Sequence, residues 1–458
     1  MGNDPNLPVA ALTSKVRLTR GGTSRLVLLL FFTAVASYLS RVNISVIGAL
    51  MMRDLGFSQI SMGRLFSAFV FGYALFQIPA GAGADRWGAR RVLGWAALSW
   101  VVVTLLMAAL GTRVLGQTTA SAFIVLLILR FALGVGEAPT FPAAAQVISR
   151  WIPPTRQGMA SGVVLAALGA GSAIAPALLS PVMVRWGWRV ALIVSAIPAM
   201  AVALTWMSFR GPGGGLPDPA PQFVPSEGRS ADLPKDSFWS RGGRTKAGLA
   251  EQKSVLWSPS FIFLTLSYTL EGYVGNIFVF WSYLYFVQVR HFNLLSAGRL
   301  ATIPWLLCII SIPLGGIVSD YLVAGPFGTL WGRRTVPMFG LASAGILLAL
   351  GARTGSGIAA VVYFALATAL ELSVEGVFWA TMVELAGPNS GTAGGVMNCG
   401  SNIGGLISPA LTPLMAAYMG WENALYVGAA LAVLAAALWL GVSPHISKDL
   451  RPSEVPVT

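Results

Sequence analysis

Runs of twenty or more apolar residues follow one another along this chain, and no other feature narrows the possible folds as much. A helix needs about 20 mainly apolar residues to cross the hydrocarbon of a bilayer. Such runs occur near 26–50, 60–82, 92–112, 119–148, 157–183 and 188–208, and again near 258–287, 296–322, 335–352, 356–384, 391–418 and 421–442. Charged residues make up only 10% of the chain, against about 25% in a soluble domain. A chain of 458 residues, 55% of them hydrophobic, cannot keep that surface from water, so lipid is its solvent. The expectation is an all-α membrane protein with twelve transmembrane helices in two pseudo-symmetric six-helix bundles, 26–208 and 258–442. Tails at 1–25 and 443–458 flank them, and a linker at 209–257, with Gly213, Gly214 and Gly215 in a row, joins them.

The net charge of +13 would ordinarily raise nucleic acid as a partner. Here the bases sit in short loops between apolar runs, which is the pattern of topology control, and no nucleic acid is expected. With the N-terminus inside, the cytoplasmic segments hold 20 Lys and Arg and the opposite side 8, while Arg41 and Arg130 lie within spans. Both termini are therefore expected in the cytoplasm, with the chain in the cell's inner (plasma) membrane and its first apolar run, full length, retained. Cys308 and Cys399 stand inside apolar runs, and His291 and His445 in a loop and the tail. That leaves no disulfide framework and no metal-ligand spacing. No nucleophile, base and orienting group come together either, so neither an enzyme nor a cofactor is expected.

The chain repeats itself. Segment 158–192 recurs at an offset of 233, with Gly158, Gly162, Gly171, Pro176 and the pair Gly187-Trp188 matched by Gly391, Gly395, Gly404, Pro409 and Gly420-Trp421. A six-helix unit has thus been duplicated in parallel. The loop Gly81 to Arg91 carries Asp85, Arg86, Arg90 and Arg91, and its counterpart carries Asp320, Arg333 and Arg334. An aspartate where one helix leaves the membrane can accept from the next helix's N-terminal amides and pair with arginines, latching two helices in one of two states. These residues are the candidate gates. Glycines four apart, Gly158 with Gly162, Gly391 with Gly395 and Gly400 with Gly404, permit close helix packing.

Ionisable groups at mid-membrane depth are costly unless paired or facing water. Six stand there: Arg41, Arg130, Glu137, Glu271, Glu371 and Glu375. Arg130 and Glu137 are seven residues apart, two turns along one helix face. Guanidinium groups can grip a carboxylate through two hydrogen bonds, and a carboxyl in low dielectric can load and release a proton near neutral pH. Together they suggest an anion site beside a proton site at Glu137. The alternative is a buried ion pair that only fixes helix contacts.

The words around these residues carry a resemblance. The gate loop resembles the signature of the major facilitator superfamily. Tyr38-Leu-Ser40-Arg41-Val-Asn43, Tyr73 through Gln77 to Pro79, Arg130 through Glu137 to Pro142, Trp151 to Arg156, and Gly395 through Asn398 and Asn402 to Pro409 resemble its anion:cation symporter family. That family carries sugar acids in bacteria and sialic acid and glutamate in vertebrates. The resemblance implies proton symport of a small organic anion, most simply a hexonate, hexarate or hexuronate, by alternating access in a functional monomer. By position, Arg41 would hold the substrate carboxylate, and Tyr38, Asn43, Tyr73, Trp379, Asn398 and Asn402 would line the cavity beside Arg130.

Two departures matter. The leucine usual two residues before Asp85 is Gly83, which predicts a looser latch. Bacterial proton-coupled members commonly carry Asp immediately before the first-helix arginine, and Ser40 here cannot titrate. Glu271 and Glu375 are candidates to supply the missing proton coupling. Two other readings stay open: an exporter of cationic solutes, favoured by acids in the pocket and opposed by Arg41 and Arg130, and a non-transporting sensor.

Overall fold

The computed structural model describes residues 20–110, 119–152, 154–208, 255–387 and 390–443. Most of the expected tails and linker lies outside them. The described residues contain helices and no strand. These are α1 (Arg20–Leu55), α2 (Gln59–Trp87), α3 (Ala89–Ala109), α4 (Thr119–Glu137), α5 (Thr140–Trp151), α6 (Pro154–Ser208), α7 (Pro259–Gln288), α8 (Leu294–Ala324), α9 (Gly328–Arg353), α10 (Gly357–Leu372), α11 (Glu375–Ala386) and α12 (Ser390–Leu438). Local chemistry starts several of them. Ser58, Ser258, Asn293 and Ser356 each accept a hydrogen bond from a first-turn amide of the helix that follows, satisfying donors that the helix itself leaves open.

Among the described residues, ten helical stretches are long and apolar enough to cross a membrane. Two of the ten, Met159–Ser208 and Thr392–Gly441, are 50 residues long, more than twice what one crossing needs. Each holds a glycine with left-handed backbone, Gly187 at φ 85° and Gly420 at φ 84°. A side chain there would be strained, so the repeated Gly-Trp marks where each long helix breaks. Two other stretches break near mid-length, α4 from α5 at Ala138-Pro139 and α10 from α11 at Ser373-Val374.

Packing repeats as the sequence does. α1 lies against α6 as α7 lies against α12, α3 against α6 as α9 against α12, and α2 against α4 as α8 against α10. Between the two sets, α6 meets α8, α12 meets α2, and α1 meets α7. Hydrogen bonds join the sets along the first part of α2, where Gln59 donates to Gln288 at the end of α7 at 2.6 Å and Ser67 to the Leu406 carbonyl of α12 at 2.6 Å. Phe66 stacks on Phe280 beside them. Outward, large apolar side chains such as Ile78, Trp95, Ile197 and Ile317 are exposed, while Arg130, Glu137, Glu271 and Glu371 are buried. This inversion of the soluble pattern is what a lipid solvent dictates.

Of the glycine pairs, only one makes the expected seam. At Gly404 a Cβ would land on the Thr269 carbonyl oxygen and 2.8 Å from the Tyr273 nitrogen, and at Gly400 it would meet Thr269 Oγ1 at 2.6 Å. Gly162 and Gly395 have nothing within 4 Å, so they pack no helix here, and the side-chain surroundings at 158 and 391 lie outside the described residues. Gly404→Val should therefore destabilise the protein by about 1–3 kcal/mol through overpacking. Gly395→Val should leave the melting temperature in detergent unchanged, and the pair of measurements checks the assignment.

Candidate functional site

The site is built from the midpoints of α1 and α2 and the C-terminal part of α4. Tyr38 and Arg41 share one face of α1, Phe69 and Tyr73 are one turn apart on α2, and Glu137 is the last residue of α4 before its break. The Arg41 guanidinium carbon lies 4.7 Å from the ring centre of Tyr38, 5.0 Å from Phe69 and 4.6 Å from Tyr73. Three aromatic faces around one cation replace part of its lost hydration. Its Nη2 and Nε reach Glu137 Oε2 at 3.3 and 3.4 Å, and Ser37, one turn earlier, donates to the same oxygen at 2.9 Å. Glu137 Oε1 has no hydrogen-bond partner among the described residues. Arg41 keeps 14% of its side chain exposed while Glu137 has 0%, so Arg41 is the group that a solute can meet.

Arg130 is placed differently from the expectation. Its guanidinium lies 4.8 Å from the Phe69 ring centre, donates from Nη2 to the Arg41 carbonyl at 3.4 Å, and finds no partner for Nε and Nη1 among the described residues. It is fully buried. It therefore stands behind Arg41 rather than beside it in an open cleft, and Glu137 pairs with Arg41, not with Arg130. Asn43 is a second correction. Two residues beyond Arg41, it points about 200° around the helix, is fully buried, and donates to Ser195 at 3.0 Å. It ties α1 to α6 and does not line the site.

The opposite wall comes from α7, α11 and α12. Asn398 and Asn402 both donate to Gln77 Oε1, at 2.6 and 3.1 Å, and Gln77 Nε2 donates to the Tyr73 hydroxyl at 3.2 Å. Gln77 thus links the aromatic box on α2 to α12 in the other set of helices. Trp379 and Tyr268 both donate to Glu375 Oε1, at 3.1 and 2.6 Å, and Glu375 lies within Coulombic range of Tyr38 across the cleft. Sequence reasoning passed over Ser37, Phe69, Gln77 and Tyr268. Gln77 is one turn beyond Tyr73 and Ser37 one turn before Arg41, so a signal existed for both. Gln77→Ala deletes both bridges, worth about 0.5–1.5 kcal/mol each. This conformation should then lose about 5- to 150-fold in population relative to the open one, read as a longer distance between spin labels on α2 and α12.

Deeper in the second set, Glu271 and Glu371 are buried and lie against each other. No described donor reaches either Glu371 oxygen. The candidate gate residues take different partners. Arg333 donates to Asp320 at 2.6 Å and to Glu384, at the end of α11, at 2.6 and 2.9 Å, which links three helices. Arg334 and Arg90 instead hold helix ends, Arg334 on the Val442 carbonyl at 2.7 Å and Arg90 on the carbonyls of Trp206 and Met207 at 3.2 and 2.8 Å. Cations there complement the negative ends of the helix dipoles. Arg86 and Arg91 are exposed, and the side chain of Asp85 lies outside the described residues.

A hexuronate transporter of Bacillus subtilis is 29% identical to the chain over 430 residues, covering 92% of this chain and 95% of that protein. A probable sulfoacetate transporter of Cupriavidus necator is 27% identical, covering 92% and 93%. Among solved structures, a bacterial homolog to the human lysosomal transporter Spinster, in an inward-facing and unoccupied conformation, superposes with a TM-score of 0.72. It is 19% identical, covering 93% of this chain and 98% of that one, so this likeness speaks for the fold alone. The model of the Major Facilitator Superfamily matches residues 30–323 and 321–457. With that match over nearly the whole described membrane region, and relatives that carry organic anions, the chain is a member of the Major Facilitator Superfamily, a multi-pass membrane transporter and not an enzyme.

Proposed function

We propose that the chain carries a small organic anion, a sugar acid of the hexonate, hexarate or hexuronate class, together with protons across the inner membrane by alternating access. The two 50-residue helices count as two crossings each, which makes twelve in two six-helix halves, 26–208 and 258–442, with both termini cytoplasmic. In that orientation the contacts at Gln59, Ser67 and Phe66 close the outer side, and the described state faces inward. A monomer contains every group the cycle uses.

The observation that carries this reading is that Arg41, the partly exposed cation in the aromatic box, is held by Glu137. One guanidinium has one charge to give. While Glu137 is ionised it competes with the solute carboxylate for Arg41. A proton on Glu137 removes the competitor, and the guanidinium is then free to take the solute through two hydrogen bonds. Proton and anion therefore favour each other's binding, by the same factor in either order. Arg130 adds a fixed positive field behind Phe69. Asn398, Asn402, Gln77 and Trp379 are the groups placed to exchange their mutual hydrogen bonds for solute hydroxyls. Asp320, Arg333 and Glu384 act as the gate on the inner side.

Uptake of labelled galacturonate, glucarate and galactonate into proteoliposomes tests it. Accumulation should appear with acid outside and vanish when the pH gradient is collapsed. Accumulation of none of them, with uptake of a cationic dye instead, would replace this reading by the exporter one.

A further inference from the structure

The duplication can be followed into the site itself. At an offset of 234, Ser37 corresponds to Glu271, Arg41 to Gly275, and Glu137 to Glu371. Nearby landmarks support that offset, since Gly187 matches Gly420 at 233 and the starts of α5 and α11, Thr140 and Glu375, match at 235. The contacts correspond too. In the first half Glu137, at the break after α4, touches Ser37 and Arg41 on α1. In the second half Glu371, in the last turn of α10 before its break, touches Glu271 on α7 and lies over Gly275, where an added Cβ would sit 2.7 Å from its Oε1. The geometry is conserved between halves, but the hydroxyl has become a second carboxyl and the arginine has become nothing.

A carboxyl pair in that position has no cation to answer it. Glu371 has 0% exposure and neither oxygen receives a hydrogen bond from the described residues. The titratable groups facing the pair are Glu375 at the start of α11, Tyr268 on α7 and Cys308 on α8. Among the described residues no arginine, lysine or histidine pairs with Glu271, Glu371 or Glu375. Two carboxylates in contact within lipid cannot both be ionised. The carboxyl of Glu371 also fills the space that a side chain at 275 would take, which leaves a proton as the cation that fits.

We infer that Glu271 and Glu371 share one proton and form a second proton-carrying site, the pseudo-symmetric counterpart of the Glu137 site. The proton enters from the outer side, is held as an O–H of one carboxyl donating to the other, and so ties α7 to α10. Inward opening at the α10–α11 break admits water and lets the proton leave, and the two like charges, tolerated only while hydrated, then hold the helices apart until one is protonated again. Discontinuous helices are where carriers commonly place their coupling ions. The role in coupling rests on the proposed symport, whereas the shared proton does not, and the two are tested separately.

Infrared difference spectra of the full chain in liposomes, without any solute, read the proton directly. At neutral pH a deuterium-sensitive carboxylic acid band is expected that shifts in Glu371→Gln and in Glu271→Ser, the latter restoring the first half's own residue, because the remaining carboxyl keeps its proton and loses its carboxylate partner; it is lost when both are substituted and persists in Glu137→Gln. A band untouched by both substitutions overturns the site, and so does one abolished by sodium at constant pH. Reversal potentials with galacturonate then give stoichiometry. The unsubstituted chain should move two protons per anion, Glu371→Gln one, and Glu137→Gln with Glu371→Gln none. An unchanged ratio in Glu371→Gln removes the coupling role, while a chain that moves no tested anion defeats the proposed function and leaves the infrared result to decide the site.

Discussion

Arg41→Ala abolishes measurable anion uptake while the protein remains folded in the membrane. The alanine removes two charge-assisted hydrogen bonds to the solute carboxylate, worth about 1.5–3 kcal/mol each. At 1.4 kcal/mol per tenfold, affinity falls by roughly 10²–10⁴. Glu137, deprived of its partner, takes a proton rather than remain a buried charge, and Ser37 still reaches it, so the fold survives. Arg41→Lys keeps the charge and loses the planar fork, and its uptake should lie between the two. Galacturonate uptake and the melting temperature of each variant are the measurements. Ordinary uptake by Arg41→Ala would remove the anion site from α1.

Glu137→Gln separates binding from energy. The amide keeps the shape and the contact with Ser37, but it cannot carry a proton and it no longer competes for Arg41 as an anion. Anion affinity should become independent of pH over the range in which the parent protein's affinity falls as pH rises. One proton per cycle is lost, so the accumulation ratio under a gradient of one pH unit should drop about tenfold, while exchange of labelled for unlabelled anion continues. Unreduced accumulation in Glu137→Gln would show that Arg41 is freed by something else.

Much of this arrangement is legible along the chain, and the reason differs from residue to residue. Apolar runs announce helices because lipid offers no partner for an exposed backbone group. Gly187 and Gly420 are legible because left-handed backbone favours the residue without a side chain. Arg41 and Glu137 stand out because a charge inside lipid needs a purpose. By contrast, the pairing of Glu137 with Arg41 rather than Arg130 joins residues 96 apart, and no periodicity within α4 reports it. Asn43 is buried against α6, and helical geometry alone turns it away from Arg41. Gln77 reaches partners more than 300 residues along, and Glu371 gained meaning only when its carboxyl was found over Gly275.

The sequence by itself determined that the chain is helical, lives in lipid, is built from a duplicated unit and carries a few charges too costly to be idle. Each of these follows from one helix and its solvent, or from comparing two stretches of text. Tertiary structure decided which charges meet, which guanidinium is left reachable, and that one half answers its carboxyl with an arginine while the other answers it with a second acid. Those outcomes depend on how closely separate helices approach and at what rotation, and that is set by the packing of all of them at once.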